Sequence, residues 1–186
     1  MHQQTPKRHS IIFWFLAFGG AAFDLWTKYA IFKRVGPPGS EAISVVPKIL
    51  ELRTSHNTGA LWGMGHNLPH SSLIFAGLSV FAAVMIVWWL FSQGAAKDFW
   101  LTVALGLIMA GAMGNCYDRL VFGHVRDFVH FHIDPIGFDC AIFNFADNML
   151  VAGAVILMLL AFRPLPEGEQ GPVGLAEAGT PPVQAS

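Results

Sequence analysis

Four long apolar runs divide this chain, and each is long enough to cross a lipid bilayer as a helix. A hydrocarbon core about 30 Å thick needs about 20 consecutive apolar residues in helical form. The runs cover residues 11–32, 73–91, 99–117 and 141–162, and the last three together carry a single charged side chain, Asp147. Only helices and closed barrels satisfy their backbone hydrogen bonds in lipid, and these runs are too long for barrel strands. The pattern therefore predicts an all-α membrane protein with four transmembrane helices.

The connections between the runs differ in length and in pattern. A short loop, residues 92–98, joins the second and third runs, whereas about 40 residues, 33–72, join the first and second. That long loop alternates apolar and polar residues near Ile43 and Ile49, which is typical of strands, so we expect a small β-sheet at the membrane surface. A long third loop, residues 118–140, joins the third and fourth runs.

One domain, residues 1–163, includes all four runs, and a tail follows it. The tail, residues 164–186, consists mainly of Pro, Gly, Glu and small residues, so we expect it to be disordered. Lys7 and Arg8 precede the first run as in a secretion signal, but no clean cleavage region follows them. The first run also contains Asp24, and we interpret it as a retained span rather than a removed peptide.

The composition is that of a membrane protein. Apolar residues make up 54% of the chain and charged residues only 12%, whereas a soluble domain carries about 25% charged residues. The mean hydropathy is +0.51. The net charge of −1 gives no reason to expect a nucleic-acid partner. Cys116 and Cys140 form neither a disulfide framework nor a CxxC metal pair, and the sequence leaves open a single bridge between them.

Four crossings would place both termini and the short loop on one side of the membrane and the two long loops on the other. Only Asp98 then lies on the terminus side. An ionisable side chain at the edge of a span costs free energy, so a cluster of them indicates function. Lys and Arg number four on the terminus side and six on the long-loop side, so charge bias does not decide the orientation. The six aspartates on the long-loop side are Asp24, Asp118, Asp127, Asp134, Asp139 and Asp147.

Two sets of polar residues lie at the ends of spans. Asp24 and Lys28 are one helical turn apart, and their simplest interpretation is an ion pair near a helix end. Asn115 and Asp118 are three residues apart and Arg119 follows them, which fits a polar helix end packed on its neighbour. The function that these groups serve, beyond packing, is not decided by their spacing.

Small residues and a turn accompany these polar groups. Gly111, Ala112 and Gly114 allow another backbone to approach the third span closely. The stretch Asn57–Ala60, read alone, predicts a turn.

Asp127 and Asp147 are the strongest candidates for catalysis. Two carboxylates at an apolar boundary cannot easily both ionise, because desolvation and like-charge repulsion raise one pKa. A pair that shares one proton is the arrangement of aspartic proteases, in which one carboxylate draws a proton from water and the other acid polarises the amide carbonyl. The alternative is a pair of solvated loop aspartates. Arg126 precedes Asp127, and we expect it to lower the pKa of Asp127.

A metal site is a competing interpretation of the third loop, which is dense in possible ligands. His130 and His132 would share one face of a strand. No HExxH or cysteine-based spacing is present, so neither a metal nor a cofactor is predicted. The possible ligands are His124, Asp127, His130, His132, Asp134 and Asp139.

Five stretches in order along the chain together resemble one family of bacterial membrane proteases, the lipoprotein signal peptidases (signal peptidase II). Each stretch is weak alone, but five in the family's order across the four spans are a specific signal. The stretches are Asp24–Lys28, Asn57–Ala60, Gly111–Arg119, Val125–Phe128 and Phe143–Asp147.

The resemblance implies an aspartic endopeptidase that removes the signal peptide from prolipoproteins, cutting before a cysteine that bears diacylglycerol. It implies four helices with a small extracytoplasmic sheet, both termini in the cytoplasm and the site at the outer face of the bacterial inner membrane. It implies a monomer in contact with membrane lipid, without a cofactor. Asp127 and Asp147 would be the catalytic dyad. The supporting residues would be Asp24, Lys28, Asn57, Gly59, Asn115, Asp118, Arg119, Asn144 and Ala146.

Two other classes of function stay open at this stage. A small ion or proton transporter would use Asp24, Asp118 and Asp147 as a relay, but it would place carboxylates near the middle of the bilayer rather than at span ends. A liposome flux assay separates it from a protease. A scaffold without catalytic activity would leave the clustering of aspartates unexplained, and single Asp substitutions would not abolish its function.

Overall fold

The computed structural model describes residues 7–59 and 70–163, so the predicted tail and part of the first long loop lie outside the described residues. Within them, the helices are α1 Lys7–Val35, α2 Ser71–Ser92, α3 Phe99–Phe122 and α4 Phe145–Ala161. The helices α1, α2 and α3 are each long and apolar enough to cross a membrane, and α4 is a shorter apolar helix of 17 residues. Two short 3₁₀ turns, Ala95–Lys97 and Asp134–Ile136, lie in the connections.

Two of the helix boundaries that differ from the sequence prediction lie next to polar residues singled out in the sequence. The helix α3 continues five residues beyond Tyr117 and ends where Gly123 adopts a left-handed φ of 77°, so Asp118 belongs to the helix and not to the third loop. The fourth helix begins at Phe145 rather than near residue 141. The preceding residues are extended because Phe143 exchanges backbone hydrogen bonds with Val129 at 2.8 and 3.0 Å.

The helix α3 is the centre of the bundle, and glycines bring α1 against it. A Cβ added to Gly106 would lie 3.1 Å from Leu16 of α1. One added to Gly114 would collide with the carboxylate of Asp24. Residue numbers in the two helices rise together along this contact, so α1 and α3 are parallel.

Glycines also bring α4 against α3. A Cβ on Gly111 would collide with the carbonyl oxygen of Ala146. A Cβ on Gly153 would lie 2.7 Å from the carbonyl oxygen of Ala104. Because numbers rise in one helix as they fall in the other, α4 is antiparallel to α3, and the close approach is the one that small residues permit in membrane bundles.

One end of the bundle gathers the N-terminal end of α1, the short loop and the end of α4. His9 Nδ1 lies 2.7 Å from the carbonyl oxygen of Ala96 in the short loop. Arg163, after α4, forms a 3.0 Å ion pair with Asp98, which caps α3 by accepting the backbone N–H of Leu101. The other polar residues of interest therefore lie at the opposite end.

A four-stranded antiparallel sheet covers that opposite end. Its strands are β1 Ile43–Val46, β2 Leu50–Asn57, β3 Val125–Ile133 and β4 Phe138–Asp139, and they lie in the order β1-β2-β3-β4. The prediction of a small sheet is confirmed, but both long loops build it, since β3 and β4 come from the third loop. In the register of β2 and β3, Glu51 pairs with His130 and Ser55 with Asp127.

We predict that Gly153→Ala destabilises the protein by about 1–3 kcal/mol, because the added methyl has no room between α4 and α3. The matched control is Gly77→Ala in α2, where a Cβ would meet nothing within 4 Å, and which should leave stability equal or slightly higher. Thermal unfolding of both variants in the same detergent measures the difference. Equal midpoints for the two variants would contradict the close packing of α4 on α3.

Candidate active site

A buried lysine organises the polar end of the bundle. The Lys28 ammonium lies 2.7 Å from Asp24 and 3.3 Å from Asp118, and all three side chains are fully buried. It also donates a 2.9 Å hydrogen bond to Oδ1 of Asn115. A buried ammonium is tolerated only where opposite charge and hydrogen-bond acceptors surround it. The predicted pair of Asp24 and Lys28 is thus present, but inside the protein rather than at an exposed helix end.

The second carboxylate of this cluster, Asp118, is shared with Arg126. The Arg126 guanidinium contacts Asp118 Oδ1 at 2.7 Å, and the Arg126 backbone N–H donates to Oδ2 at 3.0 Å. The two carboxylates and two cations of the cluster therefore balance in charge. Arg126 was expected to act on Asp127, but its guanidinium pairs with Asp118 instead and lies over the ring of Phe122 at 4.3 Å.

The first carboxylate, Asp24, connects α1 to the start of α4. Its Oδ1 accepts the backbone N–H of Ala146 at 2.8 Å, one of the N–H groups that a helix N-terminus leaves without an internal partner. Gly114 leaves the space that this carboxylate occupies, since a side chain there would collide with it. Asp24 therefore fixes the position of the first turn of α4, which carries Asp147.

Lys28 also determines which way the amide of Asn115 points. The Oδ1 atom must face Lys28, because an ammonium only donates hydrogen bonds. The Nδ2 group is then directed at Asp147, and it donates to Oδ1 of that carboxylate at 2.9 Å. Asn115 is 5% exposed, so water does not compete for these bonds.

Asn144, the N-cap of α4, touches both candidate catalytic carboxylates. Its side chain accepts the backbone N–H of Asp147 at 3.0 Å, and its own backbone N–H donates to Asp147 Oδ2 at 3.1 Å, which completes a capping box. Its Nδ2 donates to Oδ1 of Asp127 at 2.6 Å. One fully buried residue thus holds Asp127 of β3 and Asp147 of α4 side by side.

The turn at the end of β2 holds the other oxygen of Asp127. Asn57 Nδ2 donates to Asp127 Oδ2 at 3.1 Å, while its Oδ1 accepts the backbone N–H of Gly59 at 2.9 Å. Arg119 of α3 donates to the carbonyl oxygen of Gly59 at 2.9 Å. The described part of the predicted turn, Asn57–Gly59, is thus closed by the side chain of Asn57 and belongs to the site, while Ala60 lies outside the described residues.

Burial and the neighbouring charge set the protonation of Asp127. The carboxyl is only 2% exposed, and burial, followed by the charge of Asp147, raises its pKa from 3.8 to about 7, against the lowering effect of the hydrogen bonds from Asn144 and Asn57. A carboxyl with a pKa near neutrality beside a second carboxyl is suited to share one proton with it. The arrangement is thus able to present an acid and a base to one substrate.

Two clefts converge on Asp147. One cleft, of about 190 Å³, is bordered by Asn57 at the end of β2 and by the extended segment Cys140–Phe143. The other, of about 290 Å³, is a groove bordered by Phe75 and Leu78 of α2 and Leu150 of α4, with α3 between them. Asn115, Arg119 and Asp147 line both clefts. The site is therefore reached from an apolar groove along the bundle.

The structure brings together all eleven residues that the sequence singled out for the site. Asp139 is not among them, since it pairs with His130 away from the dyad, and both cysteines are free thiols. Sequence reasoning missed the pairing of Arg126 with Asp118 and the contribution of Cys140–Phe143 to the cleft wall. The charge of Arg126 next to Asp127 was the available signal for an ion pair of Arg126. No signal in the sequence pointed to Cys140–Phe143 as part of the cleft wall.

Comparison with known proteins gives a consistent result. The family described as signal peptidase (SPase) II matches residues 16–163. A lipoprotein signal peptidase of Rhodopirellula baltica is 38% identical over 178 residues, covering 88% of this chain and 78% of the relative. One of Pseudomonas fluorescens is 35% identical over 130 residues, covering 69% of this chain and 75% of the relative. A solved bacterial membrane enzyme, determined by the in meso method at 2.3 Å, superposes with a TM-score of 0.69 at 30% identity, covering 87% of this chain and 92% of that one.

The raised pKa of Asp127 predicts how stability changes with pH. Folding favours the protonated carboxyl, so its stabilising contribution is complete below about pH 4 and is lost as pH rises through about 7. Wild-type protein should therefore lose stability relative to Asp127→Asn, which does not titrate there, between pH 5 and pH 9. Unfolding midpoints of both proteins across this range measure it. If the difference between the two unfolding midpoints stays constant with pH, or grows in favour of the wild type at high pH, the pKa of Asp127 is not raised.

Proposed function

This chain belongs to the signal peptidase II family of aspartic endopeptidases, and we propose that Asp127 and Asp147 are its catalytic dyad. The observation that carries the proposal is the contact of both carboxylates with one buried residue, Asn144, at the mouth of an apolar groove. The substrates are prolipoproteins, from which the enzyme removes the signal peptide. The cut falls before the cysteine that carries diacylglycerol.

The reaction is a direct attack of water on the scissile amide. Asp147, which lines both clefts, is the ionised base that takes a proton from water, and Asp127, whose pKa is about 7, is the acid that donates to the carbonyl oxygen. The water oxygen bonds to the carbonyl carbon and gives a tetrahedral intermediate. When the C–N bond breaks, the amide nitrogen leaves with the proton that Asp147 took up, and the oxygen returns its proton to Asp127.

The supporting residues keep the two carboxylates in position. Asn115 donates to Asp147 at 2.9 Å and fixes the orientation of that carboxylate. Asn115 itself is oriented by Lys28 at 2.9 Å. Asn57 and Asn144 hold the two oxygens of Asp127, so the carboxyl cannot rotate away from its partner. Because these hydrogen bonds are in place before the reaction begins, the site does not pay the free energy of reorganising during the reaction.

The groove between α2 and α4 fits a substrate that is anchored in lipid. Its lining is apolar, with Phe75, Leu78 and Ile108 among its residues, and it ends at Asp147. A lipid-bearing cysteine moving within the bilayer would bring the peptide bond before it to the carboxylates from the side. This route explains why the site lies at one end of the bundle rather than at its centre.

The packing of the helices supports four crossings with both termini on one side of the membrane, and the family resemblance implies that this side is the cytoplasm. The helix α4 has 17 residues, a length of about 25 Å at 1.5 Å per residue, and it lies antiparallel to α3. We place the sheet and the site at the extracytoplasmic face of the bacterial inner membrane, with the bundle end at Arg163 and Asp98 inside. The enzyme acts as a monomer in contact with lipid.

Asp127→Asn and Asp147→Asn should each reduce cleavage by about 10⁴-fold or more while the protein stays folded, because neither variant can supply both an acid and a base. The assay incubates detergent-purified protein with a diacylglyceryl-modified prolipoprotein and follows the loss of the signal peptide by its size shift. Circular dichroism verifies folding.

The matched control is Asp98→Asn, which makes the same chemical change at the other end of the bundle, where asparagine also caps a helix well. It should cleave at the wild-type rate. The unmodified precursor should not be cleaved by any of these proteins. Turnover retained by either dyad variant would overturn the assignment of Asp127 and Asp147, and cleavage of the unmodified precursor would overturn the proposed substrate.

A further inference from the structure

A second cluster of ligand-type side chains lies on the sheet, apart from the dyad. His130 and His132 are two residues apart in β3, so their side chains share one face of the strand. Glu51 of β2 is the direct cross-strand neighbour of His130, and Asp139 of β4 is that of His132. Three adjacent strands thus direct two imidazoles and two carboxylates to one place.

The distances within this cluster are those of a compact site. His130 Nδ1 lies 2.8 Å from Glu51 Oε1, and His130 Nε2 lies 2.6 Å from Asp139 Oδ1. One ligand atom each from Glu51, His130 and His132 lie within 4.8 Å of one another. A tetrahedral ion with bonds of about 2.0–2.1 Å needs its ligand atoms about 3.3 Å apart, so small side-chain rotations bring these atoms into position.

From this geometry we propose that Glu51, His130, His132 and Asp139 form a binding site for a divalent transition metal, with Zn²⁺ as the best match. Two imidazoles with carboxylates suit zinc, whereas calcium and magnesium prefer sites made of oxygen alone. The ion would replace a ring proton of His130, because the coordinating nitrogen must be unprotonated.

The surroundings leave room for the ion and for the rearrangement that it requires. The cluster borders an open cleft of about 510 Å³, and the Asp139 side chain is 74% exposed, so it is free to turn toward the ion. Arg53 lies 2.8 Å from Oε1 of Glu51. Since a carboxylate has two oxygens, Glu51 is able to coordinate with the other one while Arg53 keeps the first and orients it.

The site is separate from the dyad but connected to the wall of the cleft. His130 lies three residues from Asp127 along β3, a separation of about 10 Å along the strand. Because three is an odd number of residues, the two side chains lie on opposite faces of the strand. Asp139 immediately precedes Cys140–Phe143, the extended segment that borders the cleft at Asp147. A bound ion would therefore tie β4 to β2 and β3 and hold that wall in place.

Titration of the tag-free, full-length protein in detergent with Zn²⁺, followed by calorimetry, tests the proposal. We expect one ion per chain, and His132→Asn and Glu51→Gln should each weaken binding at least about tenfold. Co²⁺ should give the intense visible absorption of a tetrahedral site in the wild type and lose it in His132→Asn. Zn²⁺ should also raise the unfolding midpoint of the wild type and not that of His132→Asn.

The matched control is His70→Asn, which removes an exposed imidazole that is not part of the proposed cluster. His70 has a left-handed φ of 58°, a conformation that asparagine tolerates well, so this variant should fold and bind Zn²⁺ as the wild type does. No stoichiometric binding by the wild type, several weak ions per chain, or equal weakening by His70→Asn would overturn the proposal. These measurements involve no turnover, so their failure leaves the proposed peptidase function unaffected.

Discussion

The buried ammonium of Lys28 is the constraint on which the polar end of this protein depends. With no water available, it must be surrounded by acceptors, and Asp24, Asp118 and Asn115 provide them at 2.7 to 3.3 Å. Each of these three residues also makes a second contact. Asp24 binds the first turn of α4, Asp118 binds the start of β3 through Arg126, and Asn115 turns its amide toward Asp147. A single charge thus sets α1, α3, α4 and the sheet in one arrangement. Removing it would leave the buried carboxylate of Asp24 without its cation, since Arg126 pairs with Asp118.

The two faces of the sheet lie in different surroundings. One face turns toward the bundle, where Asp127 reaches Asn144. The other bears the His130 cluster and faces an open cleft. A pleated strand alternates its side chains in this way. Asp127, which we propose as the acid of the dyad, and His130, which we propose as a metal ligand, therefore lie on opposite faces of β3 although only three residues apart. The segment after β4 belongs to both regions, since it follows Asp139 and borders the cleft.

Local patterns in the sequence were enough to predict the helices and the sheet, while the contacts between distant segments were not predictable. The Asp24–Lys28 pair follows from a spacing of one helical turn. Asp127 and Asp147 were singled out as two carboxylates at an apolar boundary, and their catalytic role stays a prediction. The start of α4 at Phe145 depends instead on strand pairing of Phe143 with Val129, a contact that no periodicity reveals. In the same way, Arg126 could have served either Asp118 or Asp127, and only the path of the chain after Gly123 decides between them.

In the proposed mechanism, Asp127 and Asp147 hold one proton between them near neutral pH. Isotope-edited infrared spectroscopy of protein labelled with ¹³C-aspartate measures this shared proton directly. We expect one protonated carboxyl band at pH 6 that disappears as pH rises through about 7, is absent in Asp127→Asn, and titrates at lower pH in Asp147→Asn because the neighbouring charge is gone. No protonated carboxyl at pH 6, or a band whose titration Asp147→Asn leaves unchanged, would rule out the shared proton.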